Sequence, residues 1–177
     1  KLLFISLGCD KNLVDSEEML GMLAADGHEI VDDEDEAEVI IVNTCCFIGD
    51  AKEESVNTIL EMAEKKKAGT CKVLIVTGCM AQRYKKEISE EIPEVDAILG
   101  TTSYGDISKA VKEAQAGRHF EEYKSIDFLP DISGKRMLTT GGHFAYLKIA
   151  EGCDKHCTYC IIPKLRGKFR SVPMERL

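Results

Sequence analysis

The sequence EVIIVNTC, residues 38–45, is a short apolar run, rich in β-branched residues, that ends in a cysteine. Two similar runs lie on either side of it, KLLFISLGC at 1–9 and KVLIVTGC at 72–79. Runs of this length and composition are typical of buried parallel strands. The sequence predicts strands over 1–7, 38–43, 72–77 and 96–99, with 28–31 as a weaker fifth candidate.

Helical patterns separate these runs, over about 13–25, 50–67, 83–91 and 106–116. Glycines at Gly27, Gly69 and Gly117 follow three of the helices, where a left-handed residue that closes a helix favours glycine. The alternation predicts an α/β fold, a flavodoxin-like doubly wound parallel sheet of about five strands in the order 2-1-3-4-5.

The pattern changes after residue 117. Residues 1–117 form the first predicted domain, and 118–143, where isolated aromatics lie among Gly, Ser, Asp and Pro, are predicted to be a linker or arm. A strand over 144–149, a cysteine-rich loop and a helix beginning at Ser171 are predicted to follow. These pieces cannot form a domain alone, so we expect 144–177 to be the truncated start of a second domain.

Composition limits the class of protein. The chain has 177 residues, of which 44% are hydrophobic, which excludes a disordered chain, and it has no apolar run long enough for a membrane span. Residues 1–134 hold 14 basic and 28 acidic side chains, whereas 135–177 hold 9 basic and 3 acidic ones. The net charge of −8 argues against a general nucleic-acid binder.

Cysteine is unusually frequent, with eight residues and no signal-like segment at the start of the chain. We therefore expect a cytoplasmic protein, since cysteine clusters in that reducing compartment are more often metal ligands or redox groups than disulfides.

One cysteine group is local, with Cys153, Cys157 and Cys160 in the spacing C-x3-C-x2-C. Three thiolates this close can bind three irons of an iron–sulfur cluster and leave its fourth iron open to another ligand. A zinc site that uses His156 as the fourth ligand is the alternative, but His156 is adjacent to Cys157 and strained for that role.

A second cysteine group emerges from the predicted topology. Cys9, Cys45 and Cys79 each follow a strand, and those three strands are neighbours in the predicted order, so the thiols should converge at the carboxyl edge of the sheet. A zinc site or three unrelated buried thiols remain alternatives. We expect Cys45 or Cys46 to ligate, but not both, and Cys71 to be a structural thiol at the opposite edge.

The segment around 153–163 resembles the radical S-adenosylmethionine enzymes. SLGCDKNLVDSE at 6–17, NTCCFI at 43–48, TGCMAQR at 77–83 and RGKFRS at 166–171 resemble the methylthiotransferases of that superfamily. The first two motifs are similar to the branch that modifies an aspartate of ribosomal protein S-twelve. The branch that modifies adenosine in transfer RNA is the alternative, and an iron–sulfur or zinc binding module is the non-enzymatic one.

The resemblance implies two 4Fe-4S clusters, held by Cys153, Cys157 and Cys160 and by Cys9, Cys45 and Cys79. It implies S-adenosylmethionine as cofactor, with Tyr159 packed on the cluster or the adenine, and a methylthio group added to the β-carbon of the aspartate. It also implies an electron donor such as flavodoxin or ferredoxin and a catalytic (β/α) barrel that begins at 144–177. We expect this chain alone to be inactive and to bind no nucleic acid directly.

Two other functions of this fold class are disfavoured. The acidic run 32–36 could suggest the magnesium pocket of a receiver domain, but it follows the predicted second strand, away from the crevice. A flavin binder would need a phosphate-binding loop after the first strand, where this chain has Gly8, Cys9 and Asp10.

Overall fold

The computed structural model describes residues 1–130 and 136–177. Its strands are β1 (Leu2–Ser6), β2 (Val39–Thr44), β3 (Val73–Gly78), β4 (Ala97–Leu99), β5 (Phe120–Glu122), β6 (Ala150–Glu151) and β7 (Arg170–Ser171). Its α-helices are α1 (Asp10–Ala25), α2 (Gly49–Lys67), α3 (Cys79–Arg83), α4 (Lys85–Glu91), α5 (Ile107–Gln115) and α6 (Ile162–Arg166), and short 3-10 turns span Tyr104–Asp106 and Met174–Arg176.

A parallel sheet joins the first five strands in the order β1-β2-β3-β4-β5. Ile30 forms a parallel bridge with Leu2 on the other side of β1. The segment 28–31 therefore lies outside β1, as the order 2-1-3-4-5 requires, but it contributes a single bridge. The fifth strand of the observed sheet is β5, and not the segment 28–31. Strand β5 lies inside the predicted linker 118–143.

The central strands β2 and β3 are buried on both faces, which explains why they are nearly continuous apolar runs. Successive side chains of a strand point to opposite faces. Ile40, Leu74 and Ile98 pack on one side with Ile59 of α2 and Ile88 of α4. The other side holds a second set of buried residues, from the strands and from α1 and α5: Ile41, Ile75, Leu99, Met19, Leu23, Ile107 and Val111.

The predicted helices are present, with one adjustment. Gly27, Gly69 and Gly117 have positive φ angles of 89°, 85° and 72°, as predicted for residues that follow a helix. The helix predicted over 83–91 is α4, which begins at Lys85, and a separate short helix, α3, precedes it. Tyr84 separates the two helices, since its φ of −117° and ψ of 33° are not helical.

The chain after residue 143 differs from the prediction. Residues 144–149 are not a strand, and β6 begins only at Ala150 and pairs antiparallel with β7. The carbonyls of Phe144 and Tyr146 accept hydrogen bonds from the side chains of Thr140 and Arg136 instead of from a neighbouring strand.

The helix predicted to begin at Ser171 is also absent at that residue. Ser171 pairs with Ala150 in the sheet, and the turn Met174–Arg176 begins only after Pro173. Backbone pairing with β6 therefore replaces the expected helix start.

None of the helices in the described part of the chain is long and apolar enough to cross a membrane.

Candidate metal centre

A cavity of about 1150 Å³ opens at the carboxyl ends of the central strands. Cys9, Cys45 and Cys79 line it, although 36 and 34 residues separate them in the chain. Cys153 lines the same cavity from the second cysteine group. The parallel topology thus brings the three predicted thiols to one place, together with one thiol from the loop 153–160.

Each of the three thiols is placed by the end of a strand. Cys9 immediately precedes α1 and Cys79 is the first residue of α3. Cys45 follows β2, and its backbone is held on both sides by the Ser55 hydroxyl, which accepts from the Cys45 N–H at 3.0 Å and donates to the Cys45 carbonyl at 2.8 Å. The thiols therefore lie on backbone that secondary structure and a buried serine fix.

Gly8 makes room for Cys45 at the mouth of the cavity. Its φ is +95°, and a Cβ added there would lie 2.5 Å from Cys45 Cβ and 2.8 Å from Cys45 Sγ. Any side chain at residue 8 would collide with the Cys45 thiol, and an L-residue would also be strained in this conformation.

The two adjacent cysteines face different surroundings. Cys46 packs in the hydrophobic core, where burial raises the pKa of its thiol, and its Sγ donates to the Cys79 carbonyl at 3.2 Å. Cys45 lines the cavity instead. Cys71 lies at the amino end of β3, opposite the cavity, and its Sγ donates to the Val73 carbonyl at 3.0 Å.

The electrostatics of the cavity bear on metal binding. Burial raises the pKa of Cys79 to about 12, and the neighbouring Arg166 guanidinium opposes that shift. A metal ion bound at Cys79 would favour its thiolate, because a nearby cation stabilises the deprotonated thiol. An all-sulfur donor set and a cavity of this size fit an iron–sulfur cluster.

The side chains are not already arranged as a metal site. Among residues 1–130 and 136–177, no group of three or more His, Cys, Asp or Glu side chains is positioned to hold a metal ion. Ligation by Cys9, Cys45 and Cys79 therefore remains a prediction that their shared cavity supports.

The loop of the second cysteine group is only partly at the cavity. Cys153 is half-buried and lines it, whereas Cys157 is exposed and Cys160 is half-buried outside it. Cys160 N–H donates to the Cys157 carbonyl at 3.0 Å, which closes a turn between them. Tyr159 is 87% exposed and does not line the cavity, so its predicted role in cofactor binding remains a prediction.

A buried ion network lies beside the cavity, and no local sequence pattern indicates it. Arg166 Nη1 donates to Asp15 Oδ2 at 3.0 Å and to Glu151 Oε2 at 2.8 Å, and Nη2 donates to Asn12 Oδ1 at 2.5 Å. Lys148 pairs with Asp15 and lies 3.4 Å from Glu151 Oε2. Asn12, Asp15 and Arg166 do fall within the motifs at 6–17 and 166–171, but nothing in the sequence pairs them.

A second buried contact ties the arm to α1. Glu17 is fully buried, and its carboxylate accepts from the Arg136 guanidinium and from the Thr139 N–H at 2.6 Å. Asn12, Asp15 and Glu17 of the motif at 6–17 therefore bind side chains and backbone from the later part of the chain and hold it against α1.

Comparison with known proteins gives consistent matches. The family model described as "Uncharacterized protein family UPF0004" matches residues 1–100. The chain is 64% identical over all its 177 residues to the ribosomal protein uS12 methylthiotransferase RimO of Lachnoclostridium phytofermentans, covering 40% of that protein. RimO proteins of Clostridioides difficile and Geobacter sulfurreducens are 53% and 51% identical over 99% of the chain, which covers 39% of each. The chain thus spans about 40% of the length of these curated relatives.

Proposed function

Because the chain belongs to the UPF0004 family and is similar over its whole length to uS12 methylthiotransferases, we propose that it carries the metal-binding part of a radical S-adenosylmethionine methylthiotransferase. The observation that carries this proposal is the cavity shared by Cys9, Cys45, Cys79 and Cys153. Three thiols on a parallel sheet, beside a loop with three more, suit an enzyme that holds two iron–sulfur clusters close together.

In this proposal each cysteine group has one task. Cys9, Cys45 and Cys79 hold one 4Fe-4S cluster, and Cys153, Cys157 and Cys160 hold the other. When bound, the clusters supply an open iron for S-adenosylmethionine, the electron that generates a radical from it, and an open iron that carries the sulfur to be inserted. This chemistry suits an unactivated β-carbon, whose hydrogen is beyond the reach of a side-chain base.

The remaining residues of the cavity organise the site. Ser55 fixes the backbone of Cys45, and Gly8 leaves space for its thiol. Phe47 and Ile48 are 49% and 56% exposed and line the mouth, where apolar side chains would shield a bound substrate from water.

The proposed substrate is an aspartate of ribosomal protein uS12. The RimO relatives carry that protein in their names, which favours it over a transfer RNA as the substrate. An electron donor such as flavodoxin or ferredoxin would reduce the clusters, and a ribosomal substrate would place the reaction in the cytoplasm.

Anaerobic reconstitution with iron and sulfide tests the proposal. We expect about eight irons per chain, with visible absorption, in the parent protein. Two triple variants should each keep about four irons per chain. One replaces Cys9, Cys45 and Cys79 by alanine, and the other replaces Cys153, Cys157 and Cys160 by alanine. Cys71→Ala is the matched control and should keep all of the iron. A colourless protein that retains zinc instead would support a zinc module and contradict the proposal.

A further inference from the structure

Arg166 lies between the two cysteine groups. It is the last residue of α6 and is only 4% exposed, and it lines the cavity together with Cys79 and Cys153. A buried arginine must have its charge paired and its N–H donors used, so its partners indicate what it holds in place.

Those partners come from both sides of the cavity. Asn12 and Asp15 belong to α1, which begins directly after Cys9, whereas Glu151 lies two residues before Cys153. One guanidinium therefore joins the helix behind the first cysteine group to the start of the second. A planar group that donates to three acceptors in fixed directions constrains both sides at once.

The guanidinium is also close to a thiol of the first group. Both Arg166 and Cys79 line the cavity, and Asn12 Oδ1, to which the guanidinium donates at 2.5 Å, lies 4.0 Å from Cys79 Sγ. Lys148, the other buried cation of the network, pairs with Asp15 and Glu151 and does not line the cavity. Lys11 also lines the cavity and lies 3.9 Å from Glu151 Oε1, but its side chain is 44% exposed. Among the described residues of this network, Arg166 is thus the buried cation that faces the cysteines.

Nearby charge and hydrogen bonds to sulfur both change the reduction potential of an iron–sulfur cluster. We propose that Arg166 is a positioning residue that fixes the 151–160 loop against the mouth of the sheet, and that its charge raises the reduction potential of the cluster at Cys9, Cys45 and Cys79. This inference rests on the proposed function.

The experiment isolates one cluster in a chain that keeps Arg166. In the Cys153→Ala, Cys157→Ala and Cys160→Ala background, only the cluster at Cys9, Cys45 and Cys79 should load, and an anaerobic redox titration followed by electron paramagnetic resonance gives its midpoint potential. Arg166→Gln removes the charge and Arg166→Lys keeps it. Lys164→Gln removes an exposed charge from the same helix and is the matched control.

We expect Arg166→Gln to shift the midpoint potential to more negative values. Arg166→Lys should keep the potential close to that of the parent, and Lys164→Gln should leave it unchanged. In the converse background, which lacks Cys9, Cys45 and Cys79, Arg166→Gln should shift the remaining cluster less. An unchanged potential in an iron-loaded Arg166→Gln chain would overturn the proposal, and so would an equal shift in Lys164→Gln.

Without Arg166, Asp15 and Glu151 lose a buried cation and keep Lys148, which could destabilise the fold. A second variant therefore separates an effect on the potential from misfolding. Arg166→Gln combined with Asp15→Asn removes one positive and one negative charge together, and Asp15→Asn alone is its reference. If the double variant folds, a potential more negative than that of Asp15→Asn, or loss of iron that Asp15→Asn retains, supports the proposal, and equal potentials overturn it. A parent chain that loads no iron would contradict the proposed function itself.

Discussion

At the scale of single residues, the adjacent cysteines Cys45 and Cys46 give the sharpest test of the site. Cys45 lines the cavity and Cys46 lies in the core, so we predict that Cys45→Ser lowers the reconstituted iron by about four per chain while Cys46→Ser keeps it. Iron and sulfide analysis after anaerobic gel filtration checks this. The opposite pattern would mean that the ligand is Cys46 and that the loop after β2 rearranges on binding.

Gly8 provides a second prediction at this scale. Gly8→Ala should lower both stability and iron content, because the new methyl group would meet the Cys45 side chain. Gly27→Ala is the matched control, since Gly27 has a similar φ of +89° but nothing within 4 Å of an added Cβ. We expect Gly27→Ala to cost roughly 1 kcal/mol in the free energy of unfolding and to keep its iron. Equal iron content in the two variants would show that the space at Gly8 is not needed.

At the scale of elements, α1 holds the arm through Glu17. Burial alone would raise the pKa of Glu17, but the Thr139 N–H and the Arg136 guanidinium outweigh it and lower the pKa below its usual value. A carboxyl whose pKa is lower in the folded state contributes stability above its unfolded pKa and loses it as the pH falls through the folded value. Glu17 should therefore stabilise the chain near neutral pH and progressively less in acid.

We predict that Glu17→Gln costs about 3 kcal/mol in the free energy of unfolding near neutral pH, and that this cost shrinks below about pH 4. Urea unfolding across that range measures it, with the exposed Glu61→Gln as control. A cost that stays constant with pH would show that the charge of Glu17 does not hold the arm.

The face on which α2 packs gives another prediction for an element. Ile59 is fully buried against the sheet, whereas the next residue, Leu60, is 46% exposed. Ile59→Ala should cost about 2–5 kcal/mol and Leu60→Ala no more than about 0.5 kcal/mol, as thermal or urea unfolding would show. Similar costs for both would contradict the register of this helix.

At the scale of the whole molecule, the sequence was sufficient to predict the convergence of distant cysteines. The runs before Cys9, Cys45 and Cys79 are apolar enough to be buried strands, and parallel strands end at one edge of a sheet. That prediction depends on topology alone, so it required no knowledge of side-chain contacts.

Other features could not be predicted, for identifiable reasons. Phe120–Glu122 contains two acidic residues, and an edge strand that is only partly buried needs no apolar run. The 144–149 run is apolar but pairs through Ile149 alone, whose carbonyl accepts from the Val172 N–H at 2.9 Å. Arg166 meets Asp15 across 151 residues, a contact that no local pattern records. The boundaries of the domains at 117 and 143 stay predictions.

In the proposed function, Cys9, Cys45 and Cys79 bind one inorganic cluster beside the loop 153–160. Crystals of the anaerobically reconstituted protein, measured at the iron absorption edge, test it most directly. We predict two anomalous peaks, one in the cavity and bonded to the sulfurs of Cys9, Cys45 and Cys79, and one bonded to those of Cys153, Cys157 and Cys160. Iron at the loop alone, with the other three thiols unligated, would contradict the proposed ligation by Cys9, Cys45 and Cys79.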